Sequence, residues 1–431
     1  MGLTDDAVGL LQALIRFDTV NPPGNERALQ EHLARPLTAA GFEVELLGRT
    51  EPRPNLVARL PGQAEGPTLC LLSHVDTVLA TPEEWDRDPW SGDLADGCVW
   101  GRGALDMKSQ TAAEVAAAVS LSREGWRPAR GDLLVVSVVD EETGGWDGAR
   151  WICEHHPDKV RADYVLNEGG GTQMPFDGGR VYGVCVAEKG VFRFKLIADG
   201  VAGHASIPKI GDNALLKLAP LIQRMADRQP GFDLTEGPRA LLESLGIDPS
   251  DPAAALEALR ERDAGLAFLV EPMLGVTLAP TRVFASEKIN VIPSQAEIWV
   301  DCRVPPGLGE DHARRRIDEV LGGDGYRLEF LERTVGNGSP VESELMSAIT
   351  DWIGETDPEA RTVPTILPGF TDSRTWRDAF PECVAYGFFP QRHMSLYETA
   401  PLIHSANERI DERDVGFAAQ FFRDVTARLL G

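Results

Sequence analysis

The sequence predicts an α/β protein: a mixed, largely parallel-sheet domain that is interrupted by a smaller inserted αβ domain. Three observations lead to this fold class. Strand-like and helix-like segments alternate through the first third of the chain, as in a parallel sheet covered by helices. Residues 191–197 then alternate strictly between apolar and polar side chains, which is typical of a half-exposed antiparallel strand. The first pattern resumes after Pro305-Pro306-Gly307.

The elements of the first segment follow from local patterns. Residues 55–59 and 68–73 are short runs rich in β-forming residues, and the Ala-rich stretch 110–124 is a predicted helix. Residues 133–139 (LLVVSVV) form a continuous apolar run, which indicates a strand buried on both faces. A further strand is expected to end at Val165 and Leu166.

We expect the inserted domain to span residues 191–305, and the flanking residues 1–190 and 306–431 to form one domain around it. The remaining predicted elements are helices at 213–227, 253–262, 312–321, 343–354 and 415–429, and strands at 267–276, 296–303 and 326–331. The stretch 229–264 is polar and contains proline.

Composition excludes several classes of function. Acidic residues outnumber basic ones, 67 against 42, and the formal net charge is −25. This balance argues against nucleic acid or an anionic membrane as a partner, and it means that a carboxylate substrate needs a local cationic pocket. The six scattered cysteines form no C-x-x-C pair and are interpreted as buried free thiols. No membrane span or signal peptide is indicated, so we expect a cytoplasmic protein.

Acidic residues and histidines follow the predicted strands at their carboxyl ends, where open α/β sheets form their ligand crevice. Five positions stand out in this way: His74, Asp76, Glu141, Glu142 and Glu168. His404 in PLIHSANER is a further candidate. Asp106 lies in GRGALDMK after another strand-like run. Zinc binds imidazole and carboxylate, and a pair of ions needs a bridging carboxylate. The residues therefore predict a metal centre.

Each of these signals is weak when it is taken alone. An isolated His-x-Asp is more often an ordinary polar pair, and two adjacent acids such as Glu141-Glu142 are usually a solvated turn. His155-His156 lies in a helix-like segment without the H-E-x-x-H spacing of a zinc helix, so we assign it to the surface. The order of the whole set carries the prediction.

Seven strings together resemble one family of di-zinc metallopeptidases, which contains aminoacylase, acetylornithine deacetylase, succinyl-diaminopimelate desuccinylase and glutamate carboxypeptidase. They are SHVDTV (73–78), GRGALDMK (101–108), DEETGG (140–145), NEGG (167–170), GHAS (203–206), NVIPSQAEIWVDCR (290–303) and LIHSANE (402–408). The resemblance runs from the first helix to the last. It implies two Zn²⁺ ions, with Co²⁺ or Mn²⁺ as substitutes.

The resemblance also implies roles for individual residues. His74 and Glu168 would bind one zinc, Glu142 and His404 the other, and Asp106 would bridge them. Asp76 would orient His74, and Glu141 would be the general base. A cis peptide bond is often found after the bridging residue, here at Asp106–Met107.

In the resembled family the inserted domain is a lid and usually a dimerisation surface. His204 of GHAS would stabilise the oxyanion, and in that family the corresponding histidine reaches a neighbouring subunit's site. Asn290 and Arg303 resemble residues that hold the substrate's carboxylate, and Gly369 would pass the substrate close to its backbone. Two alternatives stay open: Arg303 could simply pair with Asp301, and Arg374 competes for the carboxylate.

We therefore predict metal-dependent hydrolysis of an amide bond in an N-acyl amino acid or small peptide that bears a free carboxylate. A dipeptidase or carboxypeptidase of the same family is the first alternative, and a non-catalytic metal- or ligand-binding relative is the second. A nucleotide-dependent enzyme is disfavoured, because no phosphate-binding glycine loop follows the first strands. The expected partners are the small-molecule substrate and a second copy of the chain.

Overall fold

The computed structural model describes residues 2–431 and divides into two compact units. Unit 1 contains the chain up to Val186 together with Ser339–Thr365 and Thr371–Gly431. Unit 2 contains Ala187–Gly338 and Ile366–Phe370. No helix within residues 2–431 has the length and the apolar character that a membrane crossing requires.

The first segment of the chain supplies most of unit 1. Its helices are α1 (Leu3–Ile15), α2 (Arg27–Ala39), α3 (Lys108–Arg123), α4 (Ala149–His155) and α5 (Pro157–Val160). Its strands are β1 (Glu43–Leu47), β2 (Asn55–Pro61), β3 (Leu69–His74), β4 (Leu94–Ala95), β5 (Cys98–Trp100), β6 (Asp132–Val138), β7 (Tyr164–Asn167), β8 (Thr172–Phe176) and β9 (Gly179–Glu188). The apolar run of β6 is buried along nearly its whole length, as its lack of polar alternation predicts.

The middle segment builds unit 2. Its strands are β10 (Gly190–Val191), β11 (Phe194–Asp199), β12 (Gly203–His204), β13 (Thr277–Phe284), β14 (Val291–Ile292), β15 (Gln295–Val304) and β16 (Arg327–Phe330). Its helices are α6 (Ala214–Asp227), α7 (Glu236–Ser244), α8 (Pro252–Arg262), α9 (Ala264–Val270) and α10 (Glu310–Leu321). In β15 buried and half-buried residues alternate, since one face of this antiparallel sheet covers the core of unit 2.

The last segment completes unit 1. Its elements are α11 (Glu344–Thr356), β17 (Ala360–Leu367), α12 (Asp372–Ala379), β18 (Val384–Gly387), β19 (Gln391–Ser395), α13 (Leu396–Thr399), β20 (Arg409–Asp411) and α14 (Glu412–Leu430). The large sheet of unit 1 has the order β1-β2-β6-β3-β7-β18-β9-β8-β19, with β17 beside β9. Its middle, β6-β3-β7-β18, is parallel, and the outer pairs are mostly antiparallel. This confirms the predicted α/β fold class.

Two predicted strands of unit 2 differ from the structure. The apolar run 267–276 is α9 followed by a short 3-10 turn, because Asp263 caps the backbone N–H of Leu266 and the buried Leu266, Ala267 and Val270 share one helix face. The run 191–197 is broken between β10 and β11, where the backbone N–H of Phe192 bonds to Cys302.

Unit 2 also extends beyond the range 191–305. It contains α10 and β16, because β16 pairs with β11 and both elements bury apolar side chains in the core of unit 2. Ile317 and Phe330 are examples. The sequence places these elements after the proline turn, but their apolar faces complete the sheet and helix layer of the insert.

All six cysteines are free thiols, as predicted, and five of them are buried, whereas Cys98 is only half-buried. Cys70, Cys153 and Cys383 lie in one apolar cluster of unit 1. Cys302 lies in the core of unit 2. Burial raises the pKa of Cys302 and of Cys383 to about 12, so both stay protonated at neutral pH.

Candidate metal centre

The parallel strands β3, β6 and β7 bring most of the site to one sheet edge. His74 is the last residue of β3, and Glu141 and Glu142 lie in the 3-10 turn Glu141–Thr143 after β6. Glu168 follows directly after β7. Because β3 pairs in parallel with both β6 and β7, these three strand ends open on the same side.

The described residues contain two groups of potential metal ligands. One group is His74, Glu141 and Glu168, and the other is Asp106, Glu142 and His404. In each group one ligand atom per residue lies within 4.8 Å of the others. The structure therefore brings together all five predicted ligands and the predicted base, although residue 404 lies more than 200 positions from Glu168 in the sequence.

Asp106 faces both groups. Its Oδ1 lies 3.1 Å from Nε2 of His74, and its Oδ2 lies 3.0 Å from Nε2 of His404. Nε2 of His404 also lies 3.3 Å from Oε2 of Glu142, and Nε2 of His74 lies 3.7 Å from Oε1 of Glu168. One carboxylate thus turns its two oxygens toward two different imidazoles, an arrangement that suits a ligand shared by two metal ions.

Asp76 organises this edge through several contacts. Nδ1 of His74 lies 3.1 Å from the main-chain oxygen of Asp76 and 3.5 Å from its carboxylate, so Nε2 is the nitrogen that faces the ligand groups. The Asp76 carboxylate accepts the backbone N–H groups of Glu141 and Glu142, each at 3.2 Å. Asp76 therefore holds the glutamate turn as well as the imidazole.

A buried network behind Asp76 was not predicted from the sequence. Nδ2 of Asn21 donates to Asp76 at 2.9 Å and to Asp140 at 3.0 Å, and Arg53 pairs with Asp140 at 3.0 Å and with Glu26 at 2.8 Å. Asp140 has a positive φ of 71°, an uncommon conformation for a residue other than glycine. This network fixes the backbone from which Glu141 and Glu142 project.

Two acids of the site, Glu141 and Glu168, lie in a crowded buried space, and both have raised pKa values. Burial and then the neighbouring Glu168 raise the pKa of Glu141 well above its usual value. Burial and then Asp106 raise the pKa of Glu168. Hydrogen bonds with Asp106 and Glu142 raise the pKa of His404 to about 10. A divalent cation would stabilise the ionised carboxylates that this crowding disfavours.

The donor set fits a pair of divalent metal ions. Both groups combine imidazole nitrogen with carboxylate oxygen, the ligand types of zinc and of related transition metals. Oε1 of Glu142 is buried and has no hydrogen-bond partner among residues 2–431. A buried carboxylate oxygen without a partner is costly unless it binds a cation.

Two predicted site residues of unit 2, His204 and Asn290, lie beside each other. β12 pairs with β14, and the backbone N–H of Ala205 bonds to the main-chain oxygen of Asn290 at 3.0 Å. His204 is exposed, and its Nδ1 accepts hydrogen bonds from the backbone N–H of Ser206 at 3.2 Å and from the Ser206 hydroxyl at 2.7 Å. Since a backbone N–H can only donate, neutral His204 carries its proton on Nε2.

The other two predicted substrate residues are Arg303 and Gly369. Nε of Arg303 donates to Asp301 at 2.7 Å, which is the ion pair considered as its alternative role, and Nη1 lies 3.4 Å from the main-chain oxygen of Pro368. Gly369 is half-buried, and a side chain there would contact only Leu367.

Three further predictions concern local structure within unit 1. Arg374 is half-buried on α12, 3.8 Å from Asp378. His155 is exposed and stacks on Trp151, as its assignment to the surface predicts. The Asp106–Met107 peptide bond is cis, as the resemblance implies.

Residues 70–428 match the family model described as peptidase family M20/M25/M40. This match covers well over half of the chain. The chain belongs to this family. It is therefore an enzyme of a metallopeptidase family whose members hydrolyse amide bonds, and the predicted family is confirmed.

Among curated relatives, the succinyl-diaminopimelate desuccinylase of Xanthobacter autotrophicus is 33% identical over 414 residues, which cover 92% of this chain and 94% of that protein. The probable carboxypeptidase S-like 2 of Dictyostelium discoideum is 26% identical over 322 residues, or 71% of this chain and 62% of that protein. The match thus spans less than two thirds of the second relative and nearly all of the first.

Solved structures show the same fold. The M20 metallo-carboxypeptidase Sso-CP2 of Sulfolobus solfataricus has a TM-score of 0.71 at 18% identity and covers 98% of both chains. Human carnosine dipeptidase 1 has a TM-score of 0.66 at 16% identity, with coverage of 98% of this chain and 96% of that chain. A Bacillus subtilis M20 protein described as a dinuclear metal binding peptidase has a TM-score of 0.61 at 15% identity, with coverage of 99% and 98%.

Proposed function

We propose that this M20-family enzyme uses two metal ions to hydrolyse the amide bond of an N-acyl amino acid or small peptide that bears a free carboxylate. The observation that carries the proposal is the position of Asp106, whose two oxygens face the imidazoles of His74 and His404 at 3.1 and 3.0 Å. A carboxylate shared between two imidazole-containing groups is what a two-metal site requires.

Within the two groups we assign five residues as ligands and Glu141 as the base. His74 and Glu168 would hold one ion, Glu142 and His404 would hold the other, and Asp106 would contact both. When bound, the ions polarise the scissile carbonyl and lower the pKa of water. We propose Zn²⁺ as the resident metal, with Co²⁺ or Mn²⁺ as substitutes, because imidazole nitrogen together with carboxylate oxygen is a ligand set of catalytic zinc.

Glu141 is the proposed general base. Its carboxylate lies among the ligand groups, and its backbone N–H is held by Asp76 at 3.2 Å. It would accept the proton of the attacking water and then donate it to the leaving amine, because amide nitrogen must be protonated before it departs. Asp76 positions both this base and the His74 ring.

Unit 2 supplies the proposed substrate contacts. His204, with its proton on Nε2, would donate a hydrogen bond to the oxyanion that forms at the scissile carbonyl. Asn290 and Arg303 would hold the substrate's carboxylate, with Arg303 sharing its guanidinium between Asp301 and the substrate. Gly369 would allow the substrate to pass close to the backbone. Unit 2 would thus act as the lid of the enzyme.

N-acyl amino acids are the substrate class that we favour. The Xanthobacter relative, which matches over 94% of its length, is a succinyl-diaminopimelate desuccinylase, so N-succinyl amino acids belong in the first assays beside N-acetyl amino acids. Dipeptide or C-terminal peptide cleavage is the second candidate, since another relative is described as carboxypeptidase S-like.

The adjacent pair Glu141 and Glu142 offers a matched test. Glu141→Gln should retain two metal ions and lose about 10²–10⁴-fold in kcat, because it removes the base and no ligand. Glu142→Gln should lose metal as well as activity. Metal content by inductively coupled plasma mass spectrometry and turnover are measured on both variants. Full activity of Glu141→Gln would contradict the base assignment.

A substrate panel separates the remaining candidates. N-acetyl amino acids, N-succinyl amino acids and dipeptides are assayed with Zn²⁺, Co²⁺ or Mn²⁺ added, and initial rates are compared. A preference for dipeptides would favour the peptidase alternative. Two bound metal ions without hydrolysis of any member of the panel would favour a non-catalytic binding protein.

We also propose a homodimer formed through unit 2. Its elements α6 and β13 each expose apolar side chains, Leu215 and Leu216 on α6 and Val283 and Phe284 on β13. Exposed apolar side chains can contribute to a protein interface. Analytical ultracentrifugation should give a dimer that Leu216→Glu weakens. A monomeric wild type would refute the proposal.

We also propose a cytoplasmic location, which the six free cysteines support.

A further inference from the structure

We propose that Glu408 is a positioning residue that sets the separation of the metal pair by holding the segment of Asp106 against the segment of His404. This inference rests on the proposed two-metal function. Glu408 is fully buried, four residues beyond His404, and it directly precedes β20. The motif LIHSANE does not by itself assign this role to Glu408.

The Glu408 carboxylate is fully occupied by hydrogen bonds. Its Oε1 accepts the backbone N–H groups of Leu105 at 2.7 Å and of Asp106 at 3.1 Å. Its Oε2 accepts the backbone N–H of Gly103 at 3.2 Å and Nη1 of Arg102 at 2.6 Å. An ionised carboxylate offers about four acceptor positions. Glu408 therefore has no capacity left to act as a metal ligand itself.

These contacts fix the backbone of the segment 102–106 directly. Three of the four donors are main-chain N–H groups of this segment, and the last belongs to Asp106 itself. The segment has little regular structure to satisfy them, because β5 ends at Trp100 and α3 begins only at Lys108. Without Glu408, buried N–H groups would lose their partners, and the segment would rearrange to reach water.

The other end of this contact is the segment of His404. His404 and Asn407 both have positive φ, at 59° and 62°. The Asn407 side chain accepts the backbone N–H of Asp86 at 2.8 Å and donates to the Asp86 carboxylate at 3.1 Å. The segment 404–408 is therefore held at its outer side by Asp86 and at its inner side by Glu408, and His404 lies at its beginning.

The main chain of Glu408 also links the two segments. Gly101 donates its N–H to the main-chain oxygen of Glu408 at 3.0 Å, and β20 pairs with β5 from Arg409 and Trp100 onward. A change in the Glu408 side chain would thus alter the distance between Asp106 and His404, whose facing atoms lie 3.0 Å apart.

Charge does not explain the arrangement. Arg102 neutralises Glu408 within the same buried pair, and its other Nη donates to the main-chain oxygen of Leu79 at 3.2 Å. The guanidinium also lies 5.2 Å from the ring centroid of Trp85. The pair adds no net charge beside the acidic centre, so its effect on the metals is geometric.

The test compares Glu408→Gln with a matched control, Asp357→Asn. Gln keeps the shape of the Glu408 side chain, but its NH₂ group faces two hydrogen-bond donors and cannot accept from them. Asp357 is likewise a fully buried carboxylate of unit 1, which accepts from Arg180 and from Tyr182. It has no contact with the ligand groups. Both variants are prepared in the zinc-loaded form. They are measured at a temperature at which circular dichroism shows them to be folded.

Three measurements are made on each variant. Zinc affinity is measured with a competing chelator, the visible spectrum is measured after Co²⁺ substitution, and hydrogen exchange is followed at the amides of Leu105 and Asp106. For Glu408→Gln we expect at least one zinc to bind 10–100-fold more weakly, a changed Co²⁺ spectrum and faster exchange at both amides. Asp357→Asn should unfold at a lower temperature, with zinc affinity and Co²⁺ spectrum unchanged.

The outcomes separate the two proposals. A folded Glu408→Gln protein with wild-type zinc affinity, Co²⁺ spectrum and amide exchange would overturn the role of Glu408 and leave the two-metal function intact. A wild type that binds no pair of metals would overturn both. If Glu408→Gln does not fold, Glu408→Asp keeps the charge opposite Arg102 but shortens the side chain. The same losses are expected, and their absence would overturn the role.

Discussion

Glu114 offers a direct test of how a buried acid shapes the stability of unit 1. It lies on α3 with no exposed surface. Its Oε1 accepts a hydrogen bond from Gln110 at 2.8 Å, the Ser73 hydroxyl is a further hydrogen-bonding neighbour of the carboxylate, and no cation pairs with it among residues 2–431. Burial raises the pKa of Glu114 from 4.5 to about 8. We predict that the stability of Glu114→Gln relative to the wild type increases as the pH rises from 5.5 to 7.5.

The sign and size follow from proton linkage. Between pH 4.5 and about 8 the folded chain keeps the Glu114 proton while the unfolded chain loses it, so the free energy of unfolding falls as pH rises through this window. One proton corresponds to roughly 1.4 kcal/mol per pH unit. From pH 5.5 to 7.5 the wild type should therefore lose about 2–3 kcal/mol through Glu114 alone, and Glu114→Gln should not.

Urea unfolding at pH 5.5, 6.5 and 7.5 measures this difference. Other titrating groups and the bound zinc affect both proteins alike, so the variant minus wild-type difference isolates Glu114. Glu124→Gln is the control, because Glu124 follows α3 at the surface and the hydrogen bond from Arg423 lowers its pKa. A difference for Glu114→Gln that stays constant with pH would refute the reasoning.

Four further predictions concern other parts of the molecule. Removal of metal with a chelator should lower the melting temperature in calorimetry by several degrees, since a ligand at 1,000 times its Kd contributes about 4 kcal/mol, and added Zn²⁺ should reverse the change. Arg53→Met should cost about 3–5 kcal/mol in urea unfolding, because it leaves two buried carboxylates without their cation. The double variant His155→Ala, His156→Ala should keep wild-type metal content and turnover, and lost metal would contradict the surface assignment. Ser206→Ala should reduce the share of His204 with its proton on Nε2, as read by ¹⁵N NMR, and lower kcat several-fold; an unchanged spectrum would show that the backbone N–H suffices.

Residues at the ends of parallel strands were predictable because strand order and chain direction place them together. His74, Glu142 and Glu168 each follow an apolar run, and neighbouring parallel strands end at one edge. His404 lies outside this rule, since it follows a short turn rather than a strand of the sheet. Only the resemblance of its surrounding string linked it to the site.

Supporting residues were harder to find because long-range contacts leave no local pattern. Asn21 lies 55 residues from Asp76 and resembles any loop asparagine, yet it joins two buried carboxylates. The strand predicted at 267–276 was wrong for a different reason. A short apolar run fits a strand or a buried helix equally well, and the Asp263 cap favours the helix.

The buried thiols give the molecule internal reporters of opening. Cys302 lies in the core of unit 2, and Cys70, Cys153 and Cys383 lie in one cluster of unit 1. A thiol-specific reagent attacks only an accessible thiolate, so the labelling rate of each cysteine should follow the opening of its own core. Mass spectrometry of the labelled peptides would therefore time the opening of the two units separately in one unmodified chain, with and without metal.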